Sequence, residues 1–156
     1  MGASVTITYQ KESVTAIAEE ITPLLAAHFA EIGHHQEVRK FSPDWDTIGK
    51  MENLGNVFTL TARDSGVLVG YLSAIITNEL HCRSILSAYV DIVYVSLSAR
   101  ANVKIFINLL KFSEVALISR GVSTIYHHVK PAKDFGKVLK RMGYDMTETI
   151  YCRAIA

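Results

Sequence analysis

Apolar and polar positions change period several times along the chain, and each change predicts an element. Ser4 to Tyr9 alternates β-branched and polar residues, the pattern of a first strand. From Ser13 the apolar positions are Ile17, Ile21, Leu24, Leu25, Phe29 and Ile32, which is helical spacing. Pro23 interrupts this run; it either kinks one helix or starts a second with Thr22 as N-cap. Ser42-Pro43-Asp44 opens a short helix that ends near Gly55. Asn56 to Arg63 and Val67 to Thr77 read as strands joined by the turn residues Asp64-Ser65-Gly66, and a third strand runs from Ile85 to Ser96.

The period then returns to helical. Phe106, Leu109, Leu110, Ser113, Ala116 and Leu117 form one face, and Lys104, Asn108, Lys111 and Glu114 form the other. Ile118 falls on the polar stripe, so the last turn is expected to be covered on both sides. Arg120-Gly121 is a helix stop. Val122 to Val129 reads as a strand, Ala132 to Met142 as a helix, and Tyr144 to Ile155 as a last strand. A hairpin meander followed by βαβ units implies a mixed sheet covered by helices.

Composition narrows the function classes. The 156 residues are one domain's worth, and 49% are hydrophobic, which excludes a disordered chain. With 16 basic and 15 acidic residues the net charge is +1, so no bulk attraction to nucleic acid or anionic lipid is expected. Mean hydropathy is +0.22. The longest uncharged run, Ser65 to Asn78, has fourteen residues. A membrane-spanning helix needs about 20. Gly2 and Thr6 fit a myristoylation pattern, but no basic patch follows to complete an anchor. Two cysteines, Cys82 and Cys152, fit a reduced cytoplasmic chain, and buried inert thiols are their expected state.

Candidate chemistry concentrates late in the chain. Asp91 interrupts an apolar strand between Val90 and Ile92. A carboxylate there is either a general base whose burial raises its pKa, or a carboxylate held at a bulge or facing solvent. Tyr94 lies on the opposite strand face, with its hydroxyl toward a cleft or satisfied in the core. His127 and His128 are consecutive on a strand and point to opposite faces, so one is expected to face the cleft, either as a proton shuttle or as a surface or hydrogen-bonded histidine without a catalytic role. His28 is expected to pack on its helix, and His34-His35 to be exposed. No Cys/His spacing resembles a zinc site, and no metal is expected. Arg100 is the leading candidate for anion contact, with Lys104 one turn further on.

Asp91-Ile-Val-Tyr-Val95, a loop to Arg100 and a following helix resemble the strand-loop-helix by which the GNAT superfamily of N-acetyltransferases holds acetyl-CoA. Leu139-Lys-Arg-Met-Gly-Tyr144 resembles that family's late helix ending in a Gly-aromatic pair. Further blocks resemble small acetyltransferase-like proteins of tailed bacteriophages: Glu20-Ile-Thr-Pro-Leu-Leu25, Ser42-Pro-Asp-Trp-Asp46, Leu68-Val-Gly-Tyr71, Tyr126-His-His-Val-Lys130 and Glu148-Thr-Ile-Tyr151. The resemblance implies one GNAT-like α/β (α+β) domain over residues 1–156. Its mixed sheet would have six or seven strands and about four helices, splayed into a V-shaped cleft between the strand ending near Ser96 and the strand starting near Val122.

By the same resemblance, Asp91, Tyr94 and His128 are the catalytic candidates. Main-chain groups of Val93 and Val95 would hold the pantetheine arm. Arg100, Ala101, Asn102, Val103, Lys104 and Ile105 would hold the pyrophosphate. The chain departs from the family in two places. Val103 and Ile105 stand where the family has small residues that let a phosphate approach backbone N–H groups, and acetyl-CoA is therefore expected to bind weakly. Leu139 stands where many members have a tyrosine that protonates the leaving thiolate. Two functions from different classes follow. One is acetyl transfer to a small-molecule or protein amine. The other is a catalytically degenerate phage protein that binds a host enzyme or defence protein in the host cytoplasm, with a homodimer left open as its assembly.

Overall fold

The computed structural model describes residues 6–155. Gly2 and the expected strand start at Ser4 lie outside them. Four strands follow one another antiparallel across the sheet: β1 (Ile7–Lys11), β2 (Val57–Asp64), β3 (Val67–Asn78) and β4 (Leu86–Val95). β5 (Thr124–His127) joins β4 in parallel after a helical crossover. The helices are α1 (Ala18–Ile32), α2 (Trp45–Asn53), α3 (Val103–Ser119) and α4 (Gly136–Arg141). Strand alternation sends Phe58, Leu60, Leu72 and Val90 to one face, where they pack on Ile105, Leu109, Leu110 and Leu117 of α3 and Leu139 of α4. Leu68, Tyr71 and Tyr94 point to the other face and pack on Ile21 of α1 and its approach residues Val14 and Ile17.

Local chemistry accounts for the boundaries. Asp44 caps α2 by accepting the Thr47 N–H at 2.9 Å. Ser65 and Gly66 both take positive φ, 51° and 89°, the geometry of a two-residue hairpin turn between β2 and β3. Gly70 serves close approach: a Cβ there would stand 2.9 Å from the Tyr94 carbonyl oxygen. Arg63 is buried in β2, where it holds Glu12 at 2.9 Å and Glu20 at 2.8 Å and ties the start of α1 to the sheet.

β4 carries a bulge. Ser73 pairs with Ile92 and Ala74 pairs with Val90, which leaves Asp91 as the extra residue. The bulge reverses the alternation. Ala88 and Val90 face α3 before it and Val93 and Val95 after it, while Ile92 and Tyr94 turn to the α1 face. The expected splay is present. β4 and β5 pair only from Ser87–Thr124 to Val90–His127, closed by the His128 N–H to the Val90 carbonyl at 3.0 Å. Beyond the bulge the two strands separate.

Several expectations are corrected. Among the described residues the sheet has five strands. Residues 144–155 form no strand, and Met146, Ile150, Tyr151 and Ile155 are 69–93% exposed. Their alternation had implied pairing, but β propensity expresses fit to a half-buried sheet surface, and no neighbouring strand supplies one here. Pro23 neither ends nor restarts α1, and Thr22 donates its hydroxyl to the Ala18 carbonyl instead of capping a new helix. The helix expected from Ala132 is a single 3-10 turn at Pro131–Lys133 followed by the short α4. Ile118 is 58% exposed, and Cys82 and Cys152 are exposed as well. No helix of the described residues is long and apolar enough to cross a membrane.

Candidate active site

Where β4 and β5 part, a cavity of about 550 Å³ opens between their ends, the C-terminal part of α1 and the start of α3. The Ser96 N–H donates to the Val69 carbonyl at 2.8 Å, so Ser96 is bonded toward β3. By strand alternation the main-chain groups of Val95 and Val93 point the other way, into the splay. Of the residues singled out from sequence, Asp91, Val93, Tyr94, Val95, Arg100, Asn102, Val103 and His128 all line this cavity. Ala101, Lys104 and Ile105 do not.

The inner end holds a carboxylate–imidazole pair. His128 Nδ1 lies 3.3 Å from Asp91 Oδ1. The Asp91 side chain is 61% exposed, which overturns the expectation of a buried base and places the carboxylate at the bulge, the alternative reading of its sequence context. The bulge turns it toward the parted strands. His128 faces the cavity, while His127 packs edge-on against Tyr144 and Phe135 on the other face, as consecutive strand residues must. Burial holds the His127 imidazole down at about 4, and its Nδ1 has no hydrogen-bond partner.

The outer end is an ion cluster. Arg100 donates to both carboxylate oxygens of Glu31, at 2.8 and 3.0 Å, and to the Val95 carbonyl at 2.9 Å. Lys133 lies 2.9 Å from the same Glu31 carboxylate. Hydrogen bonds from these two cations hold the Glu31 carboxyl down at about 2. Arg100 is thus committed to an internal anion, not free on a solvated surface. Its guanidinium carbon also sits 5.4 Å from the Tyr94 ring centroid, and His28 packs on the other flank of Tyr94 at 5.0 Å. Burial first, then the charge of Lys130, lowers the His28 imidazole to about 4, so it is neutral at physiological pH.

At the turn into α3 the steric argument holds for one residue only. Val103 is 66% exposed and stands at the cavity, but Ile105 is 2% exposed and points into the core. Three of the turn's amides are already engaged. Asn102 donates to the Ala99 carbonyl at 3.0 Å, Ile105 to the Asn102 carbonyl at 3.0 Å, and Lys104 to Asn102 Oδ1 at 3.2 Å. Leu139 is buried against α3 and reaches no cavity. Sequence reasoning missed His28, Glu31, Lys130, Lys133 and Phe135 as lining residues. One signal was present: His28 and Glu31 are three apart, so they share a face of α1.

The chain shares its fold with solved acetyltransferases. Its structure superimposes on a ribosomal-protein-alanine N-acetyltransferase from Brucella melitensis biovar Abortus 2308 with a TM-score of 0.73 and 18% identity, covering 97% of this chain and 100% of that one. An aminoglycoside acetyltransferase from an uncultured soil metagenomic sample, crystallised with sisomicin, matches at 0.71 and 14% identity, over 96% and 97% of the two chains. An aminoglycoside N-acetyltransferase in complex with CoA matches at 0.72 and 14%, over 99% and 98%. At such identities the likeness is one of fold. By sequence, no family model and no curated protein matches the chain.

Proposed function

We propose that this protein is an acyl-CoA-dependent N-acetyltransferase acting on an amine. The observation that carries the reading is the splay itself: a strand edge open at Val93 and facing a cavity with the Asp91–His128 pair at its inner end. The CoA complex of a structure with the same fold supports it. The cavity fits the group in part. The main chain of Val93 can hydrogen-bond an extended pantetheine arm, and Phe106 and Phe135, 5.2 Å apart, give it an apolar wall. The outer end supplies Lys130, Lys133 and Arg100 for phosphates, but Glu31 already occupies two of these three. When bound, acetyl-CoA supplies an acyl thioester that a neutral amine can attack.

The chain's own contribution is to deliver that neutral amine. If His128 donates Nδ1–H to Asp91, its Nε2 is left with the lone pair that accepts the amine's proton. Asp91 then balances the imidazolium charge. Tyr94 serves as a wall that places Arg100 and His28 rather than as an acid, since its ring is buried in the α1-side core beside Tyr71 and packs on those two side chains. The test is an acetylation assay over a panel of amines with wild type and Asp91→Asn. Turnover should fall by about a hundredfold in the variant, the scale of losing a positioned general base. Acetyl-CoA should also raise the melting temperature of both proteins. Absence of acetylation and of any thermal shift overturns the reading.

One observation favours the rival, a protein of this fold that binds a partner instead of catalysing. Arg100, the expected phosphate ligand, is bonded to Glu31 and to the Val95 carbonyl. In that case Asp91→Asn leaves partner capture from a host lysate unchanged.

A further inference from the structure

On the α1 side of the sheet, ahead of the bulge, Tyr89 of β4 and Tyr126 of β5 are register partners. Their rings stack within 7° of parallel, with centroids 4.9 Å apart. The helices cover Tyr71 and Tyr94 on this face, but Tyr89 and Tyr126 belong to neither packed core and are half-buried. Ile75, the β3 neighbour of Tyr89, is 43% exposed. The aromatic pair is therefore an open strip, and it runs straight to the candidate site: the Tyr89 ring lies 6.4 Å from that of His128.

Carboxylates border the strip. Glu79 accepts from Ser87 Oγ at 2.7 Å and from the Tyr126 hydroxyl at 3.4 Å. The charge of Glu79 first, and then burial, push the Tyr126 phenol above its ordinary range. Asp91 closes the other end. Among the described residues Glu79 forms no ion pair, and Asp91 pairs only with His128. This contrasts with Glu12, Glu20 and Glu31, which all hold an arginine. Unneutralised carboxylates around half-buried aromatic rings are complementary to an organic cation, which gains from both the charge and the ring faces.

We infer that the Tyr89–Tyr126 strip extends the acceptor site and binds an amine substrate that carries a second positive charge, of the diamine or polyamine class. The distal ammonium rests against Tyr126 and Glu79 while the reacting nitrogen reaches His128. As a statement about acceptors it rests on the acetyltransferase reading, but the binding is measurable without turnover.

Calorimetry with spermidine and with butylamine at physiological salt tests it. Spermidine should bind at least about tenfold more tightly than the singly charged amine. The single variants Glu79→Gln and Tyr126→Leu should each lose about tenfold in spermidine affinity. Equal affinity for the two amines overturns the inference. So does a Tyr126→Leu variant that binds spermidine as wild type does, because diffuse attraction of a polycation needs no ring. If melting curves show Tyr126→Leu to be unfolded, Glu79→Gln decides alone, since the amide keeps an oxygen to accept from Ser87 and removes only the charge. Acetyl-CoA is titrated in parallel. Acetyl-CoA binding without spermidine binding overturns only the subsite. Spermidine binding without acetyl-CoA binding overturns the acetyltransferase reading and leaves the subsite standing.

Discussion

Two arginines in this molecule do the same thing in different places. Arg63 bridges Glu12 and Glu20, and Arg100 bridges Glu31 and the Val95 carbonyl. The Arg63 side chain is 11% exposed and lies within the sheet; the Arg100 side chain is 36% exposed and stands at the mouth of the cavity. In the first cluster Arg63 and Glu12 are enclosed and only Glu20 is half-exposed, with Glu12 also accepting from Thr61 and Arg63 donating to the Gly66 carbonyl at 2.8 Å. The second opens on space large enough for a ligand. The same ion pair is thus a structural tie in one setting and an exchangeable contact in the other. A buried charge has no substitute partner, whereas one beside a cavity can trade its partner for a ligand or water.

Removing Arg63 should have the largest effect. Arg63→Ala leaves the Glu12 carboxylate uncompensated and should cost about 3 kcal/mol in chemical denaturation. A loss below about 1 kcal/mol would put the two clusters in one class and end the contrast.

Acid separates the clusters next. His28 sits at the Arg100 end and in the folded chain titrates at about 4, below the usual 6.5. As pH falls, the unfolded chain takes up this proton first, so stability is intact above about 6.5 and falls progressively toward pH 4. The Arg63 cluster has no histidine. Its carboxylates are held below the ordinary glutamate value of 4.5, so the stability they contribute is present above that value and lost only at lower pH. Chemical denaturation at pH 5 should therefore show the chain less stable than at pH 7, with the His28 share on the order of 2 kcal/mol, and His28→Gln should shrink that loss while Arg63→Ala leaves it in place. An acid loss that His28→Gln leaves unchanged would count against the distinction.

The smallest change should be Glu31→Gln. It frees Arg100 and Lys133 at a cost of about 1 kcal/mol, because the pair is part-exposed. Affinity for inorganic pyrophosphate should rise by about tenfold as the internal anion is removed. Unchanged pyrophosphate binding would show that the cavity mouth is not a phosphate site at all.

Much of the fold was legible as pattern. The β2–β3 hairpin followed from alternation around Asp64-Ser65-Gly66, and α3 followed from its 3.6-residue stripe and the Arg120-Gly121 stop. The site was legible in part. Asp91 announced itself as a charge in an apolar strand, and the structure joins it to His128, 37 residues away. Glu31 did not stand out, because a glutamate near the end of an amphipathic helix looks like any solvated residue. Ile105 looked like an obstruction in the phosphate loop, yet it turns inward to the core.

Sequence alone determined the local elements, because turn chemistry, capping and hydrophobic period act over a few residues and need no distant partner. It also determined that Asp91 was out of place. The tertiary structure decided everything that depends on a neighbour far along the chain. It placed the bulge that turns Asp91 toward the cleft, made Glu31 the partner of Arg100, and left the strand-like residues 144–155 unpaired. Pairing, burial and charge compensation are properties of two segments at once, and their energies exist only when the fold has brought both segments together.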